Sequence, residues 1–110
     1  MKYTREEYNQ KLLLELEYSQ AKGEMTEDLK FLCFELANDI SLNKERYPFI
    51  DEDMRVMCVV FAYDACARHV MKFNRERSDN AYSYVSVIIR SSFAGTLKKQ
   101  YNRKHKVISL

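Results

Sequence analysis

Glycine and proline are nearly missing from this sequence, which has two of the first and one of the second among 110 residues. An average chain carries roughly 12% of the two together. Tight turns draw on the positive φ of glycine and the fixed φ of proline. Their scarcity disfavours a turn-rich sandwich or barrel and leaves no glycine-rich loop to cradle a phosphate. Long hydrophobic runs are missing too. The longest, Val56-Met57-Cys58-Val59-Val60-Phe61-Ala62-Tyr63, is far short of the roughly 20 residues that span a bilayer, so no membrane helix is expected. The opening Met1-Lys2-Tyr3-Thr4-Arg5-Glu6-Glu7 has no apolar core of the signal-peptide kind, which points to the cytosol.

Chemistry-bearing residues are equally sparse. Cys33, Cys58 and Cys66 are odd in number and follow no framework spacing, so buried thiols without a disulfide are expected. Histidine occurs only as His69 and His105. No Gly-x-Ser-x-Gly, Walker loop or His-Glu-x-x-His run appears, so neither catalysis nor a cofactor is expected. Cys66-x-x-His69 with Cys58 falls short of the four ligands at paired spacings that a structural zinc site takes, and no metal is expected.

What is present suits one small helical domain. Apolar residues make up 46% of the chain and charged residues 31%, enough for a core and a solvated surface together. The net charge of +2 hides a strong polarity. Residues 1–55 hold eight Lys/Arg and thirteen Asp/Glu, whereas residues 56–110 hold ten and three. From Asn80 onward there are six basic residues, Arg90, Lys98, Lys99, Arg103, Lys104 and Lys106, and no acid. Such an end seeks an anion, most often a phosphate backbone.

Capping signals and helical periodicity divide the chain into about four helices. Thr4-Arg5-Glu6-Glu7 reads as a capping box, followed by Tyr8, Leu12, Leu13 and Leu16 at helical spacing and a stop near Gly23. Thr26 caps a second helix with the stripe Leu29, Leu32, Cys33, Leu36, Ala37 and Ile40, running to about Leu42. A connector containing Pro48 leads to Asp51, which caps a third helix ending near Lys72. Its core stripe is read as Met54, Met57, Cys58, Phe61, Ala62 and Ala65. Val56, Val59, Val60, Tyr63 and Cys66 make the other side apolar as well, so this helix is either central or covered by a partner. Residues 73–79 form a charged loop, and Asp79 or Asn80 caps a fourth helix that turns Ala81, Tyr84, Val85, Ile88 and Phe93 inward. Gly95 is expected to bend or end it. Residues 1–97 are thus read as the helical domain and 98–110 as a basic extension.

The fourth helix interleaves aromatic, small and basic residues. On an ideal helix Ser83, Val87, Arg90, Ser91, Ala94 and Lys98 share the face opposite Tyr84, Val85, Ile88 and Ile89. Two readings of this pattern stand side by side. Either it is an amphipathic helix whose tyrosines belong to the core, or its small side chains let a nucleic acid approach while the cations hold phosphates and the tyrosines stack on unpaired bases.

Two segments carry a resemblance to a known family. Met71-Lys72-Phe73-Asn74 before the charged loop resembles a Lys-Phe-Asp turn. Tyr84-Val85-Ser86-Val87-Ile88-Ile89-Arg90-Ser91-Ser92-Phe93, followed by Leu97-Lys98-Lys99, resembles a Tyr-Ala-Thr-Trp-Trp-Ile-Arg helix. From about Asp51 to Lys99 the chain is thereby similar to the second region of bacterial sigma factors, and most closely to the late-transcription sigma factors of large tailed bacteriophages. The resemblance implies an all-α fold that docks on the clamp helices of the RNA polymerase beta-prime subunit and opens a minus-ten promoter element. By position, Tyr84 matches the tyrosine near the flipped base, Arg90 matches the family's arginine, and Val87 and Ile88 stand where the family has tryptophans. Ser91 and Ala94 replace the Gln and Thr that read duplex bases. The third helix lacks the family's acid-Gln-Glu pattern and keeps only Asp53 and Asp64.

The function expected on this basis is a sigma-like initiation factor in the cytoplasm of an infected bacterial host, with no catalysis and no cofactor. The expected polymerase contacts are Asp53, Val56, Val59, Val60, Tyr63 and Asp64. Contacts to promoter DNA, chiefly its non-template strand, are expected from Arg75, Arg77, Tyr82, Tyr84, Val87, Ile88, Arg90, Ser91, Ala94, Lys98, Lys99, Arg103 and Lys104. A phage coactivator or sliding clamp is a possible further partner. The alternatives are a helical regulator that binds duplex DNA and a polymerase-binding inhibitor that reads no promoter.

Overall fold

Thr4 has an extended backbone, and its hydroxyl accepts the Glu7 N–H at 3.1 Å while the Glu7 carboxylate accepts the Thr4 N–H at 3.2 Å. This reciprocal cap starts helix α1, Arg5–Lys22. The computed structural model describes residues 1–43, 45–49 and 51–108, with side chains through 99. α1 stops at Gly23, whose φ of 86° is the left-handed conformation glycine adopts without a Cβ penalty. Thr26 caps α2, Glu27–Ser41, and Asp51 caps α3, Glu52–His69. α3 tightens into a 3-10 turn, Val70–Lys72. The carboxamide of Asn80 accepts the Ser83 N–H at 2.9 Å and so settles the N-cap of α4, Ala81–Ile108. The fold is all-α, with no strand among the described residues.

The four helices close on one another in a ring: α1 packs on α2 and α4, and α3 packs on α2 and α4. Tyr8, Leu12 and Leu16 of α1 meet Leu29, Leu36 and Ala37 of α2, Cys58 and Ala62 of α3, and Val85, Ile89 and Phe93 of α4 in one continuous core. Each large side chain in it contributes about 1.5–3 kcal/mol through burial. Cys33, Cys58 and Cys66 are free thiols in this core. Contact with the Cys66 sulfur and then burial push the Cys33 thiol up, and burial alone does the same to Cys58. His69 is exposed, and no cluster of metal-ligating side chains occurs among the described residues.

Two expectations need correction here. The core stripe of α3 is Cys58, Val59, Ala62 and Cys66, whereas Met57 and Phe61 are exposed. The buried face is therefore turned by about one residue, or 100°, from the expected one. α4 does not end at Gly95 but runs on to Ile108. The other bonds of a helical turn hold a single glycine in place, and Thr96 adds a hydroxyl bond to the Ser92 carbonyl at 2.9 Å.

Candidate nucleic-acid interface

Phe73 is buried against the core and starts the charged loop, which α1 holds at both ends. The Gln20 carboxamide donates to the carbonyls of Met71 and Phe73 at 3.1 and 2.7 Å. At the far end the Asn9 amide donates to the Asp79 carbonyl at 3.1 Å, and its oxygen accepts the Tyr82 N–H at 2.9 Å. Inside the loop Arg75 pairs with Asp79 at 3.0 Å, while Arg77 is exposed without an ion pair among the described residues. The loop is thus a fixed platform beside the first turn of α4.

A cleft of about 490 Å³ lies between loop and helix, lined by Lys72, Phe73, Asn74, Arg77, Ser83 and Tyr84 among others. The Tyr84 ring meets Phe73 edge-on at 5.3 Å, and its hydroxyl donates to the His69 carbonyl at 3.0 Å. Burial raises the Tyr84 phenol above its ordinary range. The ring is half-buried and anchored, so a base entering this cleft would meet a pre-positioned aromatic wall with two cations at its edge. Tyr82 is different. It is 8% exposed, lies 6.3 Å from the Tyr8 ring, and carries the Arg5 guanidinium over its face at 5.9 Å. Its ring packs in the core and not on the exposed face of α4.

Along α4 the exposed face holds Ser83, Val87, Ser91, Ala94, Lys98 and Lys99, with Val87 58% exposed. Ile88 and Arg90 are partly buried at its margins. Arg103 and Lys104 lie on the backbone of α4, and their side chains fall outside the described residues.

A second surface lies on α3. Asp53, Val56, Met57, Val60, Phe61, Asp64 and Arg68 are all exposed and share one face at helical spacing. The result is an apolar ridge of four side chains flanked by two acids, with Asp64 paired to Arg68 at 3.4 Å. Val59 was expected on this ridge, but at 2% exposure it points into the core. Tyr63 is half-buried at the flank, edge-on to Phe34 at 6.2 Å. Met57 and Phe61 take their places on the ridge, and Phe61 also lines a groove of about 450 Å³ between α3 and α4.

Linear reading missed Gln20 and Asn9, whose work depends on contacts 51 to 73 residues away. It also missed Arg5 and Arg46, which meet Arg90 in a further cleft. No spacing in the sequence signals either grouping. No protein-family model matches the chain, and neither a curated protein nor a solved structure matches it significantly. No described helix is long and apolar enough to cross a membrane.

Proposed function

We propose that the chain is a sigma-like transcription initiation factor of the bacteriophage late type, which binds RNA polymerase core and recognises and melts a minus-ten-like promoter element in the host cytoplasm. The observation that carries this reading is the presence, on one small molecule, of an uncovered apolar ridge on α3 and an uncovered, acid-free face on α4. Exposed apolar side chains gathered on one face are costly in a free protein and mark a docking surface. The α4 face offers small side chains for close approach and cations for phosphates, and the anchored Tyr84 offers an aromatic wall for an unpaired base.

The test is whether the chain comigrates with polymerase core and directs transcription from an AT-rich minus-ten-like sequence. Tyr84→Ala is expected to lower open-complex formation on duplex templates far more than on templates melted beforehand. Equal loss on both, with the fold retained by circular dichroism, would remove the melting role. The hydroxyl bond from Tyr84 to His69 favours a second reading, in which α4 binds duplex DNA as a helical regulator and Tyr84 is a brace. Tight duplex binding without polymerase would select that reading.

A further inference from the structure

A separate cleft, of about 590 Å³, lies where the start of α1, the connector before α3, the end of the charged loop and the first three turns of α4 meet. Three arginines line it, Arg5 from α1, Arg46 from the connector and Arg90 from α4. None of them is in an ion pair among the described residues. Two acids share the lining, Glu6 and Asp79, and Asp79 is already held by Arg75. Ser86 also lines the cleft. It is 1% exposed and its Oγ has no hydrogen-bond partner, and the buried Nε of Arg90 has none either.

This combination is unfavourable in an empty protein. Like charges gathered around one space repel, and a buried donor without an acceptor forfeits the hydrogen bond it had in water. Both penalties disappear when a multiply charged oxyanion occupies the space. We infer that this cleft binds a phosphoryl group. Planar guanidinium forks approaching from three directions match a tetrahedral anion with several acceptor oxygens better than a singly charged carboxylate. The first amides of α4 are already used, since Tyr82 N–H goes to Asn9 and Ser83 N–H to Asn80. The ligand's bonds therefore come from Arg90 Nε, the Ser86 hydroxyl and the guanidiniums of Arg5 and Arg46. The space exceeds a single phosphate, which leaves room for the nucleotide or strand attached to it. The inference shares Arg90 with the proposed DNA surface but holds without polymerase docking.

The full chain labelled with ¹⁵N tests it. The arginine Nε–Hε resonances are followed while inorganic phosphate, adenosine 5′-monophosphate or a single-stranded oligonucleotide without terminal phosphate is added. A saturable shift at Arg90 is expected, weakened at least about fivefold by Arg5→Ala, Arg46→Ala and Ser86→Ala. Ser86→Ala removes a buried, unpartnered hydroxyl and so folds at least as well as the wild type, which keeps the test decisive if an arginine variant is unstable. Tighter binding of the monophosphate assigns a free phosphate ester as the source, and tighter binding of the oligonucleotide assigns a strand backbone. A chain that binds these probes but not polymerase overturns the proposed function and leaves the cleft standing. No saturable shift with any of the three probes, or affinity unchanged by Ser86→Ala and Arg46→Ala, overturns the phosphoryl site.

Discussion

Asp39 gathers two donors from the far end of the sequence, the Lys2 N–H at 2.9 Å and the phenol of Tyr8. Burial first, and then this bond, hold the Tyr8 phenol protonated well above its ordinary range. An unfolded tyrosine ionises near pH 10. With the folded-state value raised, the contribution of Tyr8 is complete below about pH 10 and declines as pH rises past it. Tyr8→Phe is therefore expected to cost about 1.5 kcal/mol at pH 7, as for a hydrogen bond to a charged group. Urea melts should show that gap narrowing above pH 10, and a constant gap would mean the phenol is not the titrating group. Val59 and Val60 make a sharper residue-scale contrast, at 2% and 49% exposure. Val59→Asp buries an unpaired charge and is expected to destabilise by roughly 3 kcal/mol or more. Val60→Asp should stay within about 0.5 kcal/mol of wild type in thermal melts yet lose polymerase capture.

At the scale of elements, the caps were the most legible part of the chain. Thr4, Thr26 and Asp51 each begin a helix because a short oxygen-bearing side chain meets a free backbone N–H, a rule local enough to read from four residues. Gly23 ends α1 for an equally local reason. The register of α3 was not legible, since a helix apolar on every side has no periodicity to choose between Met57 and Val59. Distant partners decided it: α2 and α4 needed a narrow face where Cys58, Ala62 and Cys66 let the helices approach. In α4, nothing lies within 4 Å of a Cβ placed on Gly95 apart from the helix itself. Gly95→Ala is thus expected to raise stability by about 0.5–1 kcal/mol, read as a higher melting midpoint. A drop instead would indicate that Gly95 serves a contact made only in a complex.

For the whole molecule, charge and topology divide the work. The acid-rich half supplies α1 and α2, and the basic half supplies α4. The candidate interface was only half legible in the sequence. The face of α4 follows from its spacing, but Arg5 and Arg46 join Arg90 only through tertiary closure. Neutralising Lys98 and Lys99 is expected to weaken duplex and pre-melted templates alike. Each lost phosphate contact should reduce the slope of log affinity against log salt by roughly 0.7–0.9, measured by anisotropy across a salt series. An unchanged slope would place the phosphates elsewhere on the surface.

Asn9 bears on how the chain comes to fold during synthesis. Its single carboxamide joins α1 to the loop end and the start of α4 across 70 and 73 residues, and α1 otherwise packs on α2, α4 and the 3-10 turn. α1 leaves the ribosome before α4 and therefore finds its last partner only when α4 follows. Until then its apolar stripe lacks α4 even when α2, α3 and the 3-10 turn have emerged, so the ring cannot close segment by segment as the chain is made. Nascent chains stalled before α4 emerges should consequently remain protease-sensitive in α1, the segment that has waited longest.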